Sequence, residues 1–345
     1  MADSAPSCAI VHHRSPGMSA DASLLAAAIR ASFPDARIVS WALPGRLVKN
    51  YKTPVEIGDE ARNALPFDFL FLLEHAHGNP PFLDPGFARH VVYVPNVEWL
   101  GPLDIEVIAS GAIHTVLLKS RYSGVVFSRL ACADRVSNGP LFTGWTSPDV
   151  GAASGAERDW NRLLHVCGKS RQKNGDAIMS LWMRRPDFPG MTIVAGAETA
   201  VSLPMPLRAA ENLHVLVNKL SEPSLRALQR QAGIHVCPSI AEGFGHTLNE
   251  ARAAAAVLIT TGAPPMDEMV EDGSSGILVP VRPENHEPFH LSTGFRVTED
   301  DLEAAVQRAL EMTPAQRGEM GLRARRLFEQ ERDRFHANLR EFIAS

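Results

Sequence analysis

Two glutamates, Glu242 and Glu250, stand on either side of a glycine-rich turn in the stretch Pro238-Ser239-Ile240-Ala241-Glu242-Gly243-Phe244-Gly245-His246-Thr247-Leu248-Asn249-Glu250-Ala251. The preceding run, Gly233 to Pro238, reads as a short apolar strand, Gly243 and Gly245 permit a turn that Cβ atoms would obstruct, and Thr247 to Ala256 is helix-forming. A helix N-terminus therefore leaves the turn, and its unpaired N–H groups and positive dipole end suit a phosphate or diphosphate. The step from Glu242 to Glu250 corresponds to ~12 Å of helix rise. Two carboxylates so spaced reach opposite ends of an extended ligand such as a nucleotide sugar, with hydroxyls at each end and a diphosphate between. A second anion site is written in Gly168-Lys169-Ser170-Arg171-Gln172-Lys173, where three cations crowd a strand-to-helix turn after the apolar run Leu163 to Cys167. A solvated basic turn is the plain alternative.

The first half of the chain offers four loops, each placed after an expected strand, where open α/β sheets bind their ligands. The first runs from His12 to Met18 and holds Gly17, isolated and outside any G-x-G-x-x-G frame, so a dinucleotide site is not expected there. Glu74-His75-Ala76-His77 combines a carboxylate with two imidazoles, yet alternating histidines in one loop supply too few ligands to close a metal site. Asn96-Val97-Glu98-Trp99 has the composition of a sugar-binding lip, or of a structural turn with a packed Trp. Lys119-Ser120-Arg121-Tyr122 suits an anionic ligand through Arg121, against a default of solvated basic residues.

These loops need a scaffold, and the sequence supplies one twice. Strands are expected at Cys8 to His13, Arg37 to Trp41, Phe67 to Leu73, His90 to Pro95 and Thr115 to Leu118, with a helix from Ala20 to Phe33 and room for further crossovers. The pattern restarts at Leu163 to Cys167 and continues through strands at Met191 to Ala195, Leu213 to Val217, Ile234 to Cys237 and Val257 to Thr261, with a helix at Glu222 to Gln231. Strands alternating with helical segments make an α/β chain with two doubly wound parallel sheets. The segment Arg282 to Phe295, rich in Pro, His and Asn, is expected as a loop or insertion; helices follow from Asp301 and Pro314, and Arg323 to Ile343 closes the chain as an amphipathic helix. The expected division is residues 1–145, a linker at 146–160, a second domain at 161–325 and a C-terminal helix at 326–345.

The segment Glu242, Gly243, Phe244, Gly245 and Glu250 resembles the E-G-F-G-x-x-x-x-E signature of glycosyltransferase family 4, the retaining glycosyltransferases with the GT-B fold. The order of residues downstream, to Val279, continues the likeness. Ala256 stands where that family usually has Pro, and His246-Thr247 replaces a more usual Leu-Pro or Leu-Thr. The resemblance implies two Rossmann-like domains facing an interdomain cleft, and transfer of a sugar from a nucleotide-sugar donor to a glycan, lipid-linked or small-molecule acceptor with retention. It implies that Glu242 lies by the donor sugar, that Gly243, Phe244, Gly245, His246 and Thr247 lie by the diphosphate, and that Glu250 lies by the ribose. Lys173 matches the family's leaving-group lysine; Gly168 opens that loop, and Lys169 or Arg171 stands for its arginine. Gly17, His75, His77, Asn96, Glu98, Trp99 and Arg121 then become acceptor-side candidates. A non-catalytic nucleotide-sugar-binding protein, or an epimerase or hydrolase on the same fold, is the competing reading.

Composition narrows the class. The net charge of −5 and pI near 6.2 argue against broad nucleic-acid binding. The four cysteines are scattered without metal spacing and read as reduced thiols, which with the absence of a leader or an apolar span suggests a cytoplasmic protein. Arg46, Lys49 and Lys52, interleaved with Leu47, Val48 and Tyr51, form a small basic-apolar patch that would allow weak peripheral contact with the inner face of a membrane, although a plain surface loop is favoured. No Asp-x-Asp pair is present, so transfer without a metal cofactor is expected.

Overall fold

The computed structural model describes residues 5–44, 57–58, 65–76, 80–153, 158–200, 203, 210–217 and 220–345. His77, the basic-apolar patch at 46–52 and part of the expected linker lie outside them.

The chain divides into two compact units: residues 1–147 with 290–292 and 331–345, and residues 148–289 with 293–330. The first unit opens with β1 (Ser7–His13), whose five central residues are all buried. Strands buried on both faces need such continuous apolar runs, because helices cover both sides of a parallel sheet. Helix α1 (Pro16–Ser32) starts where Ser15 accepts a hydrogen bond from the Met18 amide and Pro16 presets the first turn. Then come β2 (Arg37–Leu43), β3 (Phe67–Glu74), β4 (Ala88–Pro95), α2 (Pro102–Ala109), β5 (Thr115–Leu118), α3 (Arg121–Ser128) and β6 (Pro140–Phe142). The sheet order is β2-β1-β3-β4-β5-β6, with parallel pairing throughout. The chain leaves β1 toward β2 on one side and returns to β3 on the other, so the switch point lies between the carboxyl ends of β1 and β3.

The second unit repeats the plan with β7 (Asp159–Gly168), α4 (Gly175–Arg184), β8 (Met191–Ala195), β9 (Leu213–Val217), α5 (Glu222–Gln231), β10 (Ala232–Cys237), α6 (His246–Ala253), β11 (Val257–Thr261) and β12 (Ile277–Val279). Its order is β12-β11-β10-β7-β8-β9, again parallel, and its switch point falls between β7 and β10. Those two strands feed the basic loop and the Glu242 turn. The core beneath them includes Trp182, fully buried, with its indole N–H donating to the Pro189 carbonyl at 2.9 Å.

Two regions add detail to the expected layout. The segment expected as a loop or insertion at 282–295 contains a two-stranded ribbon outside both main sheets, β13 (His286–Phe289) with β14 (Ser292–Phe295). After α7 (Glu299–Glu311), helix α8 runs unbroken from Pro314 to Ala344, so residue 326 lies inside a helix rather than at a boundary. Its residues 331–345 group with the first unit, where Phe335 packs on Trp145 at 4.9 Å between ring centroids and Phe342 on Phe69 at 5.7 Å.

Candidate functional site

The switch point of the second unit brings the two sequence segments together. Leaving β7, the backbone takes a left-handed turn at Gly168 (φ 53°), passes a short 3-10 turn at Arg171–Lys173 and enters α4 through Asn174, also left-handed (φ 59°). Leaving β10, it passes Glu242 to Gly245, whose φ of 96° places it as the N-cap of α6. The two loops are laced by backbone, with the Ile240 amide donating to the Gln172 carbonyl at 2.7 Å.

Lys173 lies at the centre. Its Nζ donates to Glu242 Oε1 at 2.5 Å and to Thr247 Oγ1 at 3.2 Å. Burial alone would lower the pKa of the ammonium, but the Glu242 carboxylate outweighs burial and the net shift is upward, so the lysine stays charged. Glu242 is itself buried, and Glu250 is held by the Gln229 amide, which donates to its Oε2 at 2.7 Å. Burial pushes the Glu250 carboxyl above its usual range, against the opposing influence of His246, Gln229 and Lys173. His246 opens α6 and meets the Phe244 ring edge-on at 5.5 Å. Lys169 is exposed and pairs with Glu198 at 3.4 Å, and Arg171 is exposed. The arrangement sets one buried, paired cation and a helix N-terminus at the carboxyl ends of a parallel sheet, with two exposed cations on the same loop, features whose chemistry suits an anion.

In the first unit, His75 lies next to Glu74, with its Nε2 3.7 Å from Glu74 Oε2. Asn96 is buried and works as a bracket: its Nδ2 donates to Glu74 Oε1 at 3.1 Å and its Oδ1 accepts from Lys119 Nζ at 2.8 Å. Lys119 in turn donates to Asp21 at 2.6 Å, and the Trp145 indole donates to the other Asp21 oxygen at 2.5 Å, so this cation is part of the core. Glu98 is buried, Trp99 is 39% exposed, and Arg121 lies over the Phe142 ring at 5.4 Å. Gly17 sits exposed in the first turn of α1, with open space where a Cβ would be.

Sequence reasoning missed Gln229 and His13. Gln229 lies in the last turn of an amphipathic helix, with nothing in the neighbouring sequence to mark it. His13 was passed over at the end of β1, although its Nδ1 lies 2.7 Å from Glu74 Oε2.

Residues 196–290 match the family described as Glycosyl transferases group 1. The chain carries this segment on a GT-B fold. Among solved structures, sucrose-phosphate synthase from Thermosynechococcus elongatus superposes with a TM-score of 0.73 at 13% identity, covering 99% of this chain and 100% of that one. Anabaena HepE, in complex with UDP and glucose, gives 0.68 at 14% identity over 99% and 100% of the two chains. A GDP-mannose:cellobiosyl-diphosphopolyprenol alpha-mannosyltransferase of Xanthomonas oryzae pv. oryzae is 26% identical over 222 residues, which cover 62% of this chain and 57% of that protein. The matched family segment contains Glu242 to Glu250 and begins directly after β8, so the basic loop lies outside it.

Proposed function

We propose that this glycosyltransferase-like protein transfers a sugar from a nucleoside-diphosphate donor with retention of anomeric configuration, using the loops after β7 and β10. The observation that carries the reading is the Lys173 ammonium fixed between Glu242 and Thr247 at the N-terminus of α6. Loss of the nucleoside diphosphate is the demanding step, and its developing charge is best met by donors already in place. Lys173 and the first amides of α6 are in place; Lys169 and Arg171 are close in sequence and can swing. Glu242, neutralised by Lys173 in the resting protein, would orient the donor sugar, and Glu250 would take the ribose hydroxyls. In this arrangement the leaving-group charge is met by protein cations and amides, so the donor site works without a metal. The acceptor would be a glycan, lipid-linked sugar or small molecule. Among the described residues no helix is long and apolar enough to cross a membrane, and action in the cytoplasm on a membrane-borne acceptor is part of the same proposal.

GDP-mannose is the first donor to offer, because the Xanthomonas relative is named for it, with UDP-glucose beside it. GDP or UDP at about one hundred times its Kd should stabilise the protein by ~2.7 kcal/mol in thermal unfolding. Chelation should leave that stabilisation intact. Labelled donor should yield a glycosylated acceptor with the donor's anomeric configuration. Free sugar or an epimer as the sole product would replace transfer by hydrolysis or epimerisation, and no turnover with any donor would leave a binding protein.

A further inference from the structure

At the switch point of the first unit, His13 ends β1, Glu74 ends β3 and His75 follows it. One ligand-capable atom from each of the three lies within 4.8 Å of the others, and among the described residues no other trio of this kind occurs. We propose that His13, Glu74 and His75 form a binding site for a zinc-class divalent transition metal, with a fourth coordination position left to solvent or a ligand.

Geometry, chemistry and support all point the same way. Two imidazoles and one carboxylate are the ligand set of an open zinc site, and nitrogen-rich sets favour zinc-class ions over magnesium or calcium. Tetrahedral bonds of ~2.1 Å put neighbouring ligand atoms ~3.4 Å apart. Glu74 Oε2 is 2.7 Å from His13 Nδ1 and 3.7 Å from His75 Nε2, so a sub-ångström shift of the partly buried His13 ring away from the carboxylate would bring that pair to the tetrahedral spacing. The surroundings are built as an outer shell. Asn96 binds the other Glu74 oxygen, Tyr93 donates its hydroxyl to the Glu74 carbonyl at 2.8 Å, and Asp104, fully buried, faces His75 Nδ1 at 3.4 Å. A carboxylate behind the non-ligating nitrogen of an imidazole is what fixes the ring and raises its basicity in metal sites. Asp104 is fixed in turn by accepting from the Ala76 amide at 2.7 Å. Finally, Glu74 adopts a left-handed backbone (φ 69°), a conformation that costs a non-glycine residue free energy and persists where the surroundings enforce it. The enforcement here aims one carboxylate oxygen at two imidazoles. His77, beyond the described residues, is not needed for the trio.

The proposal is independent of the glycosyl-transfer reading and of any metal at the donor diphosphate. Its test uses tag-free protein stripped with a chelator and titrated with Zn2+ alone by calorimetry, and with Co2+ followed by its visible absorption. Saturable binding of about one Zn2+ per chain, an intense four-coordinate cobalt spectrum, and loss of affinity by more than about tenfold in both His13→Ala and His75→Ala are expected. The exposed His214→Ala serves as the control and should bind as the parent does. Circular dichroism identifies any variant that fails to fold; the other histidine variant and the cobalt spectrum of the parent protein then decide. No saturable zinc binding, or unchanged affinity in a folded His13→Ala or His75→Ala, overturns the proposal.

Discussion

Lys173 forms a charge pair with the buried Glu242 and is the proposed stabiliser of leaving-group charge, and its substitution should separate the two roles. Lys173→Ala should lower kcat by about 10²- to 10³-fold, the cost of removing one preorganised donor to leaving-group charge. It should also lower Tm, because Glu242 would be left as a buried carboxylate without its ammonium. Adding Glu242→Gln to that variant should recover much of the Tm but none of the turnover; recovery of turnover would make Lys173 a structural residue only. The two glutamates should differ as well. Glu250→Ala should weaken donor and free nucleotide alike, whereas Glu242→Ala should spare nucleotide affinity and lower kcat, since only interactions that strengthen in the transition state appear in turnover. Calorimetry with GDP or UDP beside steady-state kinetics reads both effects, and the reverse pattern would turn the donor around. Glu250 carries a pH signature too. Its folded-state pKa lies above the unfolded value because burial penalises the charged form, so its contribution to stability is full below about pH 4.3 and is lost as pH rises through the folded pKa. Glu250→Gln keeps an acceptor for Gln229 and cannot ionise. Its Tm should gain on the parent's between pH 4 and 7, and a constant difference across that range would remove the burial argument.

At the scale of elements, much of the site was legible because its segments are local. A strand, a turn needing glycine and a helix start follow one another without interruption from Ala232 to His246, and the basic loop obeys the same logic. Gly245→Ala should test that reading: a Cβ at φ 96° costs about 1 kcal/mol or more, and the distortion falls on the N-terminus of α6, so Tm and nucleotide affinity should fall together. What stayed illegible depends on which strands become neighbours. His13 and Glu74 are sixty-one positions apart and meet only because β1 and β3 pair while β2 takes the outer edge. A histidine at a strand end carries no mark of that pairing. The ribbon at β13 and β14 escaped for a different reason. Its strands have four residues each and are half exposed, so neither apolar alternation nor length distinguishes them from a loop.

At the scale of the whole molecule, the doubled parallel sheet was readable from the alternation of apolar strands with helical segments, while the path of the last helix was not. Charged residues dominate Arg323 to Ile343, and spacing alone cannot say which core its Phe residues join. The structure gives Phe328 to a cluster with Val150 and Ala253, and Phe335, fully buried, to Trp145. Phe335→Ala should therefore cost ~3–5 kcal/mol and shift the Trp145 fluorescence on unfolding, with nucleotide binding in the second unit retained in the folded fraction. A Tm within a degree of the parent's would refute that packing. Helix α8 has a further consequence in the order of synthesis. Residues 331–345 are translated after every strand of both sheets, yet they belong to the unit whose strands, β1 to β6, come first in sequence. Until they emerge, Trp145 lacks the Phe335 ring and Phe69 lacks the Phe342 ring, so the first unit's core is completed only after the second unit's strands have been made.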